Sequence, residues 1–139
     1  MVTMIYTSGT PADIRATLAS LYNETLSLSG AVLIGDIPYI IYEMSQNWGE
    51  EDEYEDFPCD LYYMDLNGTW EDRGYGEMVD ADNGKYDYRS GNLDLEIWAS
   101  RLKSGNLPAA GTEESLLSHY LTKNTAYRQG DLYYSCLPL

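Results

Sequence analysis

The residues best suited to chemistry lie in an oxygen-rich loop, Asp80-Ala81-Asp82-Asn83-Gly84-Lys85-Tyr86-Asp87. Oxygen donors at alternate positions around a turn-forming Gly suit Ca²⁺, a hard cation that takes roughly six to eight oxygens at about 2.3–2.6 Å from a curled backbone. The loop departs from the helix-loop-helix calcium pattern, because Asp82 and Gly84 stand one residue too close and the closing bidentate Glu is missing. Asp65, Asn67, Asp72 and Glu77 offer further oxygens from the upstream side. The candidate ligand set is therefore Asp65, Asn67, Asp72, Glu77, Asp80, Asp82 and Asp87. The competing reading is an Asp/Asn/Gly turn that is acidic for solubility.

Nucleophilic catalysis finds little to work with. A cysteine nucleophile needs a His close enough to take its proton. The chain has one His, His119, and two cysteines, Cys59 and Cys136. His119 falls mid-helix between Ser118 and Tyr120, and Cys136 lies in the terminal tail, so no catalytic residue is assigned. Two thiols so far apart fit no zinc spacing. Asp36, at the end of a predicted strand, sits where open α/β sheets bind ligands. Phospho-acceptor chemistry would also want acids after the first strand, and Met1 to Gly9 has none. The expected role of Asp36 is to cap the turn into Ile37-Pro38 by accepting backbone N–H groups.

The elements that would position these groups alternate between strand and helix. Val2–Tyr6 reads as a strand; Thr10-Pro11-Ala12-Asp13 supplies an N-cap, a Pro at the first helical position and an early acid. Ile14, Leu18, Leu21, Tyr22 and Leu26 recur at helical spacing, predicting a helix from Pro11 to about Ser27. Ala31–Ile34 is a continuous apolar run, the pattern of a strand buried on both faces. Residues 38–58 lose periodicity, and the acidic run from Gly49 to Asp56 predicts a flexible loop. Asp60–Met64 and Leu95–Arg101 read as strands, separated by a long Gly/Asp/Asn loop over Asn67–Asn92. Thr112 caps a second helix whose apolar face carries Leu116, Leu117, Tyr120, Leu121 and Tyr127. The pattern predicts an α/β fold: one domain over residues 1–139, an open, mostly parallel sheet of about four strands with flanking helices.

Three segments, in order, carry a family resemblance. Phe57-Pro58-Cys59-Asp60-Leu61-Tyr62-Tyr63-Met64-Asp65-Leu66-Asn67-Gly68-Thr69-Trp70 resembles the P-S-D-x-Y-Y-x-D-L-D/N-G-x-W segment of gingipain-like cysteine peptidases, which share the caspase-type three-layer fold. Ala31-Val32-Leu33-Ile34-Gly35-Asp36-Ile37-Pro38 is similar to that family's V-L-L-V-G-D-x-x-x-P strand and turn, and Leu95–Leu102 to its P-E-I-x-V-G-R-I/L strand. Cys59 replaces the usual Ser and Ser100 the usual Gly. The resemblance implies a non-catalytic first half of a secreted or cell-surface peptidase, part of a longer precursor. The catalytic His and Cys would lie in a downstream half, the partner this chain supports, and peptide or protein would be the parent's substrate. The family carries calcium in its catalytic region, which makes the acidic segment a plausible donor. It also makes Arg101 part of the motif itself; that Arg either anchors the interface to the catalytic half by pairing with an acid such as Asp36 or stands exposed to solvent. A calcium-stabilised binding or assembly module without peptidase activity is the alternative.

Composition sets the outer bounds. Eight basic residues against 23 acidic ones give a formal charge of −15, which repels phosphate backbones and anionic lipid headgroups. Nucleic acid and membrane surfaces are poor partners. Seventeen of the acids fall between Glu43 and Glu96, so the demand for positive charge is concentrated there. Fourteen Tyr against one Phe means that most large apolar side chains carry a polar tip requiring a partner. Trp48, Trp70 and Trp98 could line a ligand surface, with core packing the simpler role for Trp70. No apolar run approaches the ~18–20 residues that span a bilayer.

Overall fold

The computed structural model describes residues 2–25, 28–47, 49, 51–105, 107 and 109–131. The chain is mixed α/β and divides into two compact units, Met1–Val32 with Pro38–Ser100, and Leu33–Ile37 with Arg101–Leu139.

The larger unit opens its regular structure with α1, Pro11–Thr25. Thr10 and Asp13 cap it reciprocally: the Thr10 N–H and hydroxyl both donate to Asp13 Oδ2, at 2.9 and 2.7 Å, and Asp13 N–H donates back to the Thr10 hydroxyl. Ile14 and Leu18 are buried, as their spacing predicts; each such side chain contributes about 1.5–3 kcal/mol by leaving water. Leu26 and Ser27, at the expected end of the helix, lie outside the described residues.

Beyond α1 the structure departs from the expected four-stranded sheet. Val2–Tyr6 forms no strand, and Val2 and Tyr6 are almost fully exposed. Asp60–Met64 is not a strand either: Leu61–Met64 is one helical turn, α2. A strand would send Tyr62 and Tyr63 to opposite faces. The turn instead buries both, with Tyr63 hydroxyl donating to Pro38 C=O at 2.6 Å. Two of the four expected strands are thereby lost.

Residues 38–58, which lose periodicity and whose acidic run Gly49–Asp56 predicts a flexible loop, instead carry a regular antiparallel hairpin, β2 (Ile40–Asn47) with β3 (Asp52–Cys59), paired from Ile40 with Cys59 to Asn47 with Asp52. Charge hid it from periodicity: Asp52, Glu53, Glu55 and Asp56 sit on a strand whose residues 53–58 are all exposed, where carboxylates cost little and discourage further pairing along the edge. Within the long Gly/Asp/Asn loop, β4 (Thr69–Glu71) pairs antiparallel with β5 (Tyr88–Ser90). Trp70 packs edge-on against Tyr42, Tyr62 and Tyr86, the core role expected of it, while Trp98 is about half exposed. Trp48 lies outside the described residues.

The remaining strands, β1 (Gly30–Ile34) and β6 (Trp98–Leu102), pair with each other. Trp98 N–H donates to Ser29 C=O, and Gly35 N–H to Leu102 C=O. The expectation that β1 is buried on both faces fails: only Leu33 is buried, and Val32 and Ile34 are exposed. Among the described residues, then, the sheets are three separate pairs.

In the smaller unit α3 spans Glu113–Gln129, with Thr112 as the expected N-cap accepting from Ser115 N–H, and Gly130 ending it in the left-handed region. None of its residues is buried, and Tyr120, Leu121 and Tyr127 stand exposed on the face expected to pack. Asp36 does not serve mainly as a turn cap; its exposed carboxylate pairs with Lys103 at 2.5 Å, while Arg101 donates to Ile37 C=O rather than to Asp36. No helix among the described residues is long and apolar enough to cross a membrane.

Candidate metal centre

Backbone pairing brings three carboxylates together in the larger unit. The β4–β5 ladder ends with Glu71 opposite Tyr88, so Asp72 leaves one strand just where Asp87 enters the other. Tyr86 then bridges to β2 in parallel, its N–H donating to Ile41 C=O and its C=O accepting from Glu43 N–H, at 2.9 and 2.8 Å. This fixes Glu43 beside Asp87. One oxygen from each of Glu43, Asp72 and Asp87 lies within 4.8 Å of the others.

Each carboxylate is held, and one oxygen is left over. Asp87, 4% exposed, accepts N–H groups from Arg73 and Gly74, the latter at 2.6 Å. Gly74 has φ +70, and a Cβ there would stand 2.9 Å from Ala81 N, so the donor requires Gly. Glu43, 1% exposed, accepts from Tyr54 hydroxyl at 2.6 Å and Asn83 Nδ2 at 2.7 Å. Asp72 Oδ2 accepts from Gly84 N–H at 2.7 Å. Asp72 Oδ1 is buried and has no partner. A buried, unpaired carboxylate oxygen is costly, and a cation shared with Glu43 and Asp87 would satisfy it. The donor set is all oxygen and anionic, which fits Ca²⁺ and does not fit a metal that prefers nitrogen or sulfur.

A tethered cation borders the cluster. Lys85 Nζ is 3.7 Å from Glu43 Oε2 and 2.6 Å from both Asp56 Oδ2 and Tyr54 hydroxyl. The hydrogen bond to Asp56, then that to Tyr54, pushes the Lys85 ammonium up, and the same contact pulls Asp56 down. Tyr54 is pushed up, first by donating to Glu43. These groups tie the loop that carries Asn83 and Lys85 to the β2–β3 hairpin.

Of the seven residues expected to bind metal, Asp72 and Asp87 enter the cluster. Asp65 lies elsewhere: fully buried, it accepts from Gly68 N–H, Trp70 Nε1 and Arg89 Nε at 2.6, 2.9 and 2.6 Å, with Arg15 3.8 Å away. Two guanidiniums occupy the place a cation would take. Asn67 is exposed and donates to Glu96, and Glu77, Asp80 and Asp82 are exposed on the loop outside the cluster. Glu43 is the member that the sequence reading misses. Its signal is the run Ile40-Ile41-Tyr42-Glu43-Met44: a carboxylate in the middle of an apolar run must be paired or ligating.

His119 is exposed on α3 and Cys136 lies outside the described residues. Cys59 is a buried free thiol, pushed up by burial, the opposite of what a nucleophile needs. Comparison with family models, with curated proteins and with solved structures finds no match for this chain.

Proposed function

We propose that this chain is a calcium-stabilised, non-catalytic module. Glu43, Asp72 and Asp87 hold the ion and so fasten the loop between β4 and β5 to the β2–β3 hairpin. The observation that carries this reading is the partnerless, buried Asp72 Oδ1 beside two further carboxylates. Backbone carbonyls and water would complete the coordination shell, since one oxygen from each of three carboxylates falls short of the roughly six to eight oxygens Ca²⁺ takes.

On the motif resemblance, the module is the first half of a secreted gingipain-like cysteine peptidase, supporting a downstream half that carries the His and Cys. The β1–β6 pair would then be one part of a larger open sheet. A two-stranded pair is marginal alone, and Val32 and Ile34 on β1 are apolar and exposed. A binding or assembly module without peptidase activity uses the same ion site and differs only in lacking that catalytic half.

The test is a thermal melt with calorimetric titration. Calcium raises the melting temperature of chelator-treated protein and magnesium at equal concentration does not. No calcium-dependent shift at any concentration would overturn the proposal.

A further inference from the structure

The acidic loop contains an Asn-Gly step, Asn83-Gly84, whose hydrogen bonds suit a reaction of its own. Asn83 is exposed, and the next residue, Gly84, has φ +88 with open space where a Cβ would be, so no side chain stands between its backbone and solvent. Gly84 N–H donates to Asp72 Oδ2 at 2.7 Å. The Asn83 side-chain carbonyl accepts from Lys85 N–H at 2.8 Å. A nucleophile on a carboxylate base, beside a carbonyl already holding a donor, is the arrangement that general-base and oxyanion stabilisation require.

We propose that Asn83-Gly84 is a site of spontaneous deamidation assisted by Asp72. The Gly84 nitrogen attacks Asn83 Cγ and passes its proton to the Asp72 carboxylate. The carbonyl electron pair moves onto Oδ1, held by Lys85 N–H. The tetrahedral carbon then expels Nδ2, which takes the proton back and leaves as ammonia. The resulting succinimide is opened by water at either carbonyl, giving aspartate or isoaspartate at position 83.

Asn67-Gly68 provides the internal comparison. Gly68 N–H also meets a carboxylate, Asp65 Oδ1 at 2.6 Å. There, however, the Gly is buried, a Cβ on it would fall 2.3 Å from Asp65 Oδ2, and that carboxylate already faces Arg89 and Arg15. A carboxylate neutralised by two guanidiniums is a poor proton acceptor.

Deamidation would have a consequence for the neighbouring acids. Asn83 Nδ2 now donates to Glu43 Oε1; an aspartate in its place sets a fourth anion against Glu43, Asp72 and Asp87. On the cation reading, and only on it, this strengthens calcium binding and loosens the loop when calcium is absent.

The test ages the full chain at neutral pH with chelator, once folded and once in urea, and tracks both Asn-Gly sites by peptide mapping with mass spectrometry. In urea the two sites convert at similar rates. In the folded chain Asn83 converts ~10-fold or more faster than Asn67, a gap that corresponds to ~1.4 kcal/mol in barrier. Equal folded rates, or a faster Asn67, would overturn the site. Asp72→Asn slows conversion at Asn83 in the folded chain and leaves the urea rate alone; an unchanged folded rate would overturn the role given to Asp72. Neither readout depends on calcium binding, so failure of this inference is distinct from failure of the ion site.

Discussion

Asp72 and Asp87 sit side by side because the β4–β5 ladder ends one residue short of each, at Glu71 opposite Tyr88. An antiparallel end places the next residues across from one another whether or not their charges agree. Here two carboxylates meet, and Glu43, delivered by the Tyr86 bridge, makes a third. Like charges in close contact oppose folding unless something positive lies between them.

That relationship predicts a change of sign. Asp72→Asn removes one charge from the cluster, so in chelator the variant melts at the same temperature as the parent or higher. With saturating calcium it melts lower, because a ligand at 100 times its Kd contributes about 2.7 kcal/mol that the variant cannot recover. Parallel melts of both proteins in both conditions check this. A variant that is less stable by the same margin in each would mean that Asp72 serves only as a hydrogen-bond acceptor for Gly84.

Asp65 makes the opposite prediction. It receives Gly68 N–H, Trp70 Nε1 and Arg89, with Arg15 alongside, and Arg15 itself reaches from α1 to the Asp65 and Gly68 carbonyls at 2.7 Å. Asp65→Ala strands two guanidiniums and an indole N–H, and should cost about 3–5 kcal/mol irrespective of calcium. Urea denaturation with and without the ion measures it. A calcium-dependent loss would move Asp65 back into the metal site.

The parts of this architecture that are legible in the sequence are those decided locally. Thr10-Pro11 and Thr112 announce helix starts because a cap is a contact between residues three apart, and both helices begin there. Tyr62 and Tyr63 mislead, because β-propensity describes fit to a half-buried pleat and here both rings are drawn into one core. The β2–β3 hairpin is masked by its own carboxylates. The ion cluster is half legible: Asp72 and Asp87 stand out in an acidic loop, whereas Glu43 reaches them only through a bridge spanning more than forty residues, from Tyr42 to Tyr86.

Alkaline pH should unfold the larger unit by way of Tyr62. Burial, reinforced by the hydrogen bond with the Tyr86 hydroxyl, pushes Tyr62 up to about 12. The unfolded chain releases that proton near the ordinary tyrosine value of about 10, so between these values the folded state holds the extra proton and stability falls as pH rises. Below pH about 10 the contribution is fully present; by about 12 it is gone, a loss of up to about 2–3 kcal/mol. Tyr54 and Lys85 are raised too and act with the same sign. Tyr62→Phe should flatten the alkaline limb of a stability-against-pH profile. An unchanged limb would assign it to the other groups.

Lys85 is a rival for the site it borders. Its ammonium reaches Tyr54 and Asp56 at 2.6 Å and stands 3.7 Å from Glu43, so part of the attraction a divalent ion would feel is already taken. Two effects then compete in a Lys85→Met variant. Removing the charge lifts a repulsion between the ammonium and the ion that solvent and salt screen only in part at such short range. Removing the hydrogen bonds frees Tyr54, which still donates to Glu43 and keeps that carboxylate in place. The electrostatic effect should win, and calcium should bind Lys85→Met about 10-fold more tightly by calorimetric titration. The gain should shrink with added salt, since the charge being removed is part exposed. Weaker binding by the variant would show instead that Lys85 holds the hairpin where Glu43 can reach the ion.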